Sequence, residues 1–280
     1  MPEYANSTVP GIVIRDQRFE QLIDGLQASL TALGADYEPT RLGVPPVISR
    51  SLLEKIGYAE SFPHLLGIAY SYKGNELTWR ELAPSVGSGD DWLREHAPTD
   101  IALLPAVCYH VYPLFAGTTL EGVQTVDVCS HCYRHEETTE HGRLRSFRMR
   151  EFVHVGEPDA VLERRQEWLD LAEKWLDSLG LAPSIEPAND PFFGSAARLM
   201  GAEQRTEALK LELVVDVGEG ERKAVASSNY HRDHFGLPFE ISAASGGLCH
   251  TSCQAFGLDR VALAVINKHG ADAANWPLVF

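Results

Sequence analysis

The sequence predicts an α+β domain in which an antiparallel β-sheet is flanked by helices. Amphipathic helical segments lie in both halves of the chain, and two extended segments near its middle are joined by a polar, glycine-containing turn. Short apolar runs of strand length separate the helices. With 280 residues, of which 44% are hydrophobic and 22% charged, the chain can bury a large core.

The first half of the chain begins with an amphipathic helix, predicted over residues 16–33. A second helix is expected from about Ser51 and ends before Phe62-Pro63. The next two apolar runs, 65–72 and 101–112, are each short enough to form a buried strand.

The second half begins with a long antiparallel hairpin, predicted over residues 127–155 with its turn at 137–142. Later elements are a helix over 159–179, a proline-rich linker over 183–191, a helix over 196–209, strands over 210–217 and 239–243, and a closing helix over 257–269. We divide the chain into an N-terminal helical extension, residues 1–50, and a catalytic domain, residues 51–280, that form one compact unit.

Charge and cysteine content restrict the function. A net charge of -15 disfavours extensive nucleic-acid contact, which requires Lys and Arg to neutralise phosphates. No apolar run is long enough for a membrane helix, and residues 1–8 lack the features of an export signal, so a cytoplasmic location is expected. The five cysteines are therefore interpreted as metal ligands or buried thiols rather than disulfides.

The hairpin carries a set of side chains suited to ATP. Arg134 and Glu136 are two residues apart on the first arm, so they share a face of the strand. Arg143, Phe147 and Glu151 are spaced by four on the return arm and share a face as well. Guanidinium groups bind phosphate oxygens, an aromatic ring stacks on a base, and carboxylates bind amino groups or metal ions.

A further arginine, Arg260, stands in the string Gly257-Leu258-Asp259-Arg260 at the start of the closing helix, where anions bind well. Together with Arg134-x-Glu136 and Arg143-x-x-x-Phe147, this string resembles motifs 2 and 3 of the class II aminoacyl-tRNA synthetases. The stretch 57–63 resembles a degenerate motif 1, which in that family forms the dimer interface. The resemblance covers roughly residues 50–265 and implies a class II aminoacyl-tRNA synthetase-like catalytic core.

Within this class the chain resembles the zinc-dependent, atypical seryl-tRNA synthetases and their truncated relatives, the amino acid:[carrier protein] ligases. The segment 227–236 also looks like those ligases. The resemblance implies roles for individual residues: Arg134 at the α-phosphate, Glu136 at the adenine amino group, Arg143 at the outer phosphates, Phe147 and Arg260 on either side of the adenine ring, and Asn229 in the substrate pocket. Arg134 and Arg260 would be the catalytic residues.

The same resemblance implies one Zn²⁺ per subunit, bound by Cys108, Glu151 and Cys253. Three protein ligands leave a fourth position open, which is typical of a functional rather than a structural zinc. The amino group of the substrate would occupy it. Mg²⁺ would accompany ATP, and no definite position in the sequence matches its protein ligand.

Two other metal sites are conceivable. Cys129-x-x-Cys132 and Cys249-x-x-x-Cys253 could together form a closed four-thiolate structural zinc site. His231, Asp233 and His234 could form a two-histidine, one-carboxylate site, but adjacent residues of a strand do not share a face.

The implied function is ATP-dependent activation of a small amino acid, with glycine or alanine favoured, and transfer to the phosphopantetheine thiol of a carrier protein. Carrier proteins are usually acidic, and Arg198 and Arg205 are candidates for docking one. We expect a homodimer with little or no tRNA binding. The alternatives are a tRNA-charging or adenylate-binding synthetase paralogue and a non-enzymatic module with the four-cysteine zinc.

Overall fold

The computed structural model describes residues 9–88, 92–136, 140–195 and 197–278. Within these residues the α-helices are α1 (Gln17–Leu33), α2 (Arg50–Lys55), α3 (Tyr58–Ser61), α4 (Glu76–Leu82), α5 (Pro158–Ser178), α6 (Ala197–Thr206) and α7 (Leu258–His269). The strands are β1 (Thr40–Gly43), β2 (Val47–Ser49), β3 (Ile68–Tyr72), β4 (His96–Leu103), β5 (Thr119–Leu120), β6 (Val123–Tyr133), β7 (Ser146–Gly156), β8 (Ser184–Pro187), β9 (Lys210–Gly218), β10 (Glu221–Arg232), β11 (Ser242–Ala243) and β12 (His250–Gly257).

The centre of the fold is a seven-stranded sheet in the order β1-β6-β7-β12-β10-β9-β8. Adjacent strands of this sheet are antiparallel, except that the edge strand β1 runs parallel to β6. Smaller sheets join β2, β4 and β3, and β11 and β5. The predicted α+β fold with an antiparallel sheet and flanking helices is therefore confirmed. No helix in the described part of the chain has both the length and the apolar character needed to cross a membrane.

The helix α1 is integral to the core. The Asp16 carboxylate caps its first turn by accepting a hydrogen bond from the Phe19 backbone N–H at 2.9 Å. Its apolar stripe packs into the same buried cluster as Trp168 of α5 and Val261 of α7, on the face of the sheet that we call the back face. The division at residue 50 therefore does not coincide with a gap in the packing.

The central hairpin forms as predicted. The strands β6 and β7 pair antiparallel from Val123↔Gly156 to Tyr133↔Ser146, and residues 137–139 of the predicted turn lie outside the described residues. The long helix α5, the helix α6, the strand β9 and the closing helix α7 also lie where the sequence pattern indicates.

Several predicted elements need correction. The second helix is split into α2 and α3 because Gly57 adopts a left-handed conformation, with φ at 72°. The strand β4 ends at Leu103, and the rest of the run 101–112 enters 3₁₀ turns after Pro105, because proline has no N–H for a strand ladder. The linker 183–191 contains β8, and the run 239–243 forms a strand only at β11.

Besides β8, three strands of the sheet were not predicted: β1, β10 and β12. The interior of β12 is buried on both faces, and it carries Thr251, Ser252 and Gln254 among apolar residues. Such a strand has neither the alternation of a half-exposed strand nor a continuous apolar run, so its sequence gives no clear signal.

A buried ion pair connects the hairpin to α1. Arg150 of β7 is fully buried and donates to both carboxylate oxygens of Asp127 on β6, at 2.8 and 2.7 Å. The same guanidinium donates to the Gln27 carbonyl at 2.5 Å and to the Thr31 hydroxyl at 2.8 Å, both on α1. Every side of this guanidinium therefore has a partner, as a buried charge requires.

We expect Asp127→Ala to lower the free energy of unfolding by about 3–5 kcal/mol, because it leaves the Arg150 charge buried without its counter-ion. Urea unfolding measures this change. The control is Glu76→Ala, which removes the exposed pair with Arg80 on α4 and should change stability by less than about 0.5 kcal/mol. Equal, small effects of both substitutions would contradict the assignment of Asp127 as a structural counter-ion.

Candidate active site

The face of the sheet opposite α1, which we call the front face, presents polar residues in rows across four strands. Directly paired residues of antiparallel strands point to the same face. One row runs Glu151, Ala255, Ser227, Glu212, and the next runs Val153, Cys253, Asn229, Lys210. The register of the sheet therefore places Glu151, Cys253 and Asn229 on one face, although they are far apart in the sequence.

A cavity of about 510 Å³ opens on the front face. Of the site residues that the family resemblance implies, Arg143 is absent from the lining of this cavity. The others line it: Cys108, Arg134, Glu136, Phe147, Glu151, Asn229, Cys253 and Arg260. Apolar, acidic and basic groups thus converge in one enclosure large enough for a nucleotide and a small second substrate.

Cys108, Glu151 and Cys253 meet at the floor of this cavity. Their candidate ligand atoms all lie within 4.8 Å of one another, and all three residues are buried. Cys108 comes from a 3₁₀ turn, Val107–His110, whose Val107 N–H donates to Glu151 Oε1 at 3.2 Å. Three elements, the 3₁₀ turn, β7 and β12, therefore fix the cluster.

The chemistry of this cluster fits a zinc ion. Two thiols and a carboxylate are a donor set that Zn²⁺ accepts, and no disulfide joins the thiols. Burial raises the pKa of the Cys108 thiol well above its ordinary value, and burial also raises the pKa of Glu151. Burial thus disfavours the ionised forms of these groups, and a bound cation would stabilise those ionised forms.

The four-cysteine site does not form. The Cys129 thiol points to the back face and donates to Gln27 Oε1 of α1 at 3.7 Å. Cys132, Cys249 and Cys253 belong to the other buried cluster, on the front side of the sheet. Among the described residues, the group of Cys108, Glu151 and Cys253 is the one set of three His, Cys, Asp or Glu side chains close enough to share a metal ion, so His231, Asp233 and His234 do not form one.

The residues expected at ATP surround the other end of the cavity. The Arg134 guanidinium lies over the Phe147 ring, 5.4 Å from its centroid, and its Nε donates to the Pro105 carbonyl at 3.0 Å. Arg260 is held by the backbone, donating from Nε to the Gly142 carbonyl at 2.9 Å and from Nη1 to the Ala224 carbonyl at 3.0 Å. Both guanidiniums are thus oriented in advance by backbone carbonyl groups.

Comparison with individual curated proteins shows the family to which this chain belongs. No family model matches the chain. Two proteins of Bradyrhizobium diazoefficiens named amino acid–[acyl-carrier-protein] ligase 1 and 2 are 38% and 39% identical to it, over 95% and 96% of this chain and 82% and 81% of their own length. The chain belongs to the amino acid–[acyl-carrier-protein] ligase family. It is therefore a ligase, and the non-enzymatic alternative is wrong.

More distant relatives extend the comparison. The type-2 serine–tRNA ligase of Methanocaldococcus jannaschii is 29% identical over 62% of this chain but only 35% of its own length. The fold of the ligase is similar to that of M. kandleri SerRS in complex with A. aeolicus tRNASec, with a TM-score of 0.83 at 19% identity over 98% of this chain and 56% of that one. The fold is therefore that of the class II aminoacyl-tRNA synthetase core.

Arg143 lies away from the cavity lining in this ligase. Its Nη1 donates to Glu136 Oε2 at 2.6 Å and its Nε to Glu140 Oε2 at 3.1 Å. Glu136 lines the cavity, so the pair places Arg143 just behind it. Its implied position at the outer phosphates requires the side chain to turn from these carboxylates.

The stretch 57–63, which resembles motif 1, contributes to the cavity. Phe62 lines it and stacks on Phe192, with ring centroids 5.2 Å apart. The role of this stretch in a dimer interface stays a prediction.

Sequence reasoning missed an ion pair in the lining. Lys210 donates to Asp190 Oδ1 at 2.6 Å, and Gln204 Nε2 donates to Asp190 Oδ2 at 2.8 Å. Burial opposes ionisation of Asp190, but the Lys210 ammonium outweighs it and lowers the pKa of Asp190. Asp190 lies in the segment interpreted as a plain linker, and no motif distinguishes it.

His231 was also missed as part of the site. Its Nε2 lies 3.8 Å from Cys253 Sγ and its Nδ1 lies 3.0 Å from the Thr251 hydroxyl. Burial lowers the pKa of His231 to about 3, so the ring is neutral. The sequence did single out this histidine, but only as a candidate ligand together with Asp233 and His234.

Proposed function

We propose that the ligase uses ATP to convert a small amino acid into its aminoacyl-adenylate and transfers the aminoacyl group to the phosphopantetheine thiol of a carrier protein. The observation that carries this proposal is the convergence of Arg134, Phe147 and Arg260 with the Cys108, Glu151 and Cys253 cluster in one cavity. One end offers cations and a ring for a nucleotide. The other offers a metal site for an amino acid.

At the nucleotide end, Phe147 and Arg260 would hold the adenine ring between them, and Glu136 would accept from its amino group. Arg134 would neutralise the charge that develops on the α-phosphate. Because Pro105 accepts from Nε, the Nη groups of Arg134 are the ones available for phosphate oxygens. Arg143 would reach the outer phosphates after leaving Glu136.

Cys108, Glu151 and Cys253 would hold one Zn²⁺ per subunit. When bound, this ion would supply an open coordination position for the α-amino group of the substrate. The three protein ligands, from elements fixed in the core, would place the amino acid with its carboxylate toward Arg134. Mg²⁺ would accompany ATP, and we favour glycine or alanine as the amino acid.

The chemistry then follows in two displacements. A carboxylate oxygen of the amino acid attacks the α-phosphorus, and pyrophosphate leaves. The carrier thiol then gives its proton to solvent, and its sulfur attacks the carbonyl carbon of the adenylate. The bond from that carbon to the phosphate oxygen breaks, and AMP leaves. The contribution of the enzyme in both steps is positioning and charge neutralisation by Arg134 and Arg260.

Amino-acid-dependent exchange of labelled pyrophosphate into ATP tests the first step. Run over all twenty amino acids with and without a zinc chelator, it should show exchange with glycine or alanine that chelation abolishes. A folded, zinc-loaded sample that exchanges with none of them would refute amino-acid activation. Mass spectrometry of a phosphopantetheinylated carrier protein after the reaction tests the transfer.

The carrier would dock near α6. Met200 and Gln204 of this helix line the cavity, whereas Arg198 is exposed, so α6 lies at the rim. Arg205 is exposed too, and its Nη1 donates to the Asn189 side chain. A basic rim residue would attract an acidic carrier to an enzyme whose net charge is -15. Homodimer formation and weak tRNA binding remain part of this proposal.

We expect Arg198→Glu to raise the KM for an acidic carrier protein by about 10-fold, equivalent to about 1.4 kcal/mol, while pyrophosphate exchange stays unchanged. Steady-state aminoacylation of the carrier measures this. The matched control is Arg18→Glu on α1, which makes the same charge change on the opposite side of the sheet. An equal rise in KM for both variants would point to net charge alone and contradict docking at α6.

The zinc affinity should rise steeply with pH. Burial raises the pKa of Cys108; for Cys253 a hydrogen bond with Cys108 acts to lower the pKa, but burial and the Glu151 carboxylate together raise it. Both thiols are therefore protonated near neutral pH, and zinc binding releases two protons. We expect the affinity to increase about 100-fold per pH unit from about pH 6 to about pH 8, tenfold for each proton.

Competition with a chromophoric chelator, corrected for the chelator's own protonation, measures this dependence. An affinity that does not change with pH would mean that the two thiols are not the ligands.

A further inference from the structure

His231 lies beside Cys253 at a bulge in β10. Tyr230 pairs with Ser252 and Arg232 pairs with Thr251, so His231 is the extra residue between them. Bulges of this kind are common next to active sites. Because His231 is two residues after Asn229, strand alternation directs its ring to the front face, where its Nε2 lies 3.8 Å from Cys253 Sγ.

The orientation of the ring is fixed on several sides. Nδ1 lies 3.0 Å from the Thr251 hydroxyl. Phe235 packs edge-on to the ring with centroids 5.0 Å apart, and Tyr112 does so at 6.2 Å. Nε2 is therefore held toward the sulfur and cannot turn away without disturbing buried aromatic packing.

We propose that His231 is a positioning residue that donates its Nε2–H to the Cys253 thiolate and so fixes this ligand in the metal-bound enzyme. The proposal rests on the zinc site proposed above. A thiolate can only accept hydrogen bonds, so Nε2 would carry the ring hydrogen when it faces the Cys253 thiolate, and the Thr251 hydroxyl, which can also donate, could then donate to Nδ1.

Asn229 provides a second donor to the same sulfur, from Nδ2 at 3.4 Å. A thiolate that accepts two N–H groups has part of its charge neutralised and its direction fixed. Partners of this kind orient a metal ligand and tune the metal, and losing one typically costs about 10- to 100-fold in metal affinity. His231 thus acts on the metal through Cys253.

Titration of the metal-free protein with Co²⁺ and with Zn²⁺ tests this role. His231→Phe keeps an aromatic ring but removes the donor. We expect it to lower zinc affinity by about 10- to 100-fold and to shift the thiolate-to-cobalt charge-transfer band to lower energy, because the sulfur becomes more electron-rich. His231→Gln, whose amide N–H reaches a similar position, should restore both quantities nearly to the wild-type values.

The control is His250→Gln, since His250 is on the same strand as Cys253 but contacts the Tyr230 hydroxyl. If His231→Phe does not fold, Thr251→Val removes the group that orients the ring and should give a smaller shift of the band in the same direction. A wild-type band and affinity in His231→Phe, or in Thr251→Val where that variant is used, would overturn the proposal, as would failure of His231→Gln to restore them. Absence of any thiolate band in the wild type would instead overturn the zinc site itself.

Discussion

Replacing Cys108 by serine is expected to remove zinc from the enzyme and to abolish amino-acid-dependent pyrophosphate exchange. A serine hydroxyl is a poor substitute for a thiolate as a zinc ligand. The loss of zinc affinity should exceed about 100-fold, since losing even an indirect partner of a metal ligand costs about 10- to 100-fold. Elemental analysis of the purified variant and the exchange assay measure the two effects.

The matched control is Cys129→Ser. Cys129 lies on the back face beside Gln27, so its substitution should leave zinc content and exchange unchanged. Both variants should unfold cooperatively, because serine fills nearly the volume of cysteine. Retention of zinc and activity in Cys108→Ser would remove this residue from the site, and loss of both in Cys129→Ser would show that the metal lies elsewhere.

Replacing Arg134 by alanine should lower the rate of adenylate formation by about 10²- to 10³-fold, which is typical of removing one group that stabilises transition-state charge. Arg134→Lys should recover only part of the rate, because an ammonium keeps the charge but cannot hold the Pro105 carbonyl and a phosphate oxygen in the same fork. Pyrophosphate exchange with the best amino acid measures both variants.

Arg18→Ala on α1 is the control for this substitution, because it removes an exposed guanidinium from the other side of the sheet. Zinc content should be unaffected in all three variants, which separates loss of the nucleotide site from loss of the metal site. A rate for Arg134→Ala within about threefold of the wild type would exclude a role at the α-phosphate.

Part of the candidate site could be predicted because side chains that are an even number of residues apart on a β-strand lie on the same face of the sheet. Arg143, Phe147 and Glu151 are four residues apart, and two of them do line the cavity from the same strand. Arg143 precedes β7 and is drawn to Glu136 and Glu140 instead, because spacing gives direction only where the backbone is extended.

Other parts of the site were beyond sequence reasoning. Asp190 and Lys210 are twenty positions apart, and their contact depends on the path of a segment with no periodic pattern. His231 lies in β10, a strand that the sequence did not predict, and its contact with Cys253 depends on the pairing of β10 with β12. The strand β12, buried on both faces, left no alternating signal although it carries Cys253.

The sequence by itself determined the fold class, the central hairpin, the residues suited to ATP and the set of possible metal ligands. Local geometry and the chemistry of side chains are enough for these. Only the tertiary structure decided which cysteines meet. Cys108, Glu151 and Cys253 come from three separate elements, and Cys129 is excluded because consecutive positions of β6 face opposite sides of the sheet. Strand order and register bring distant residues together, and they are set by the packing of the whole core.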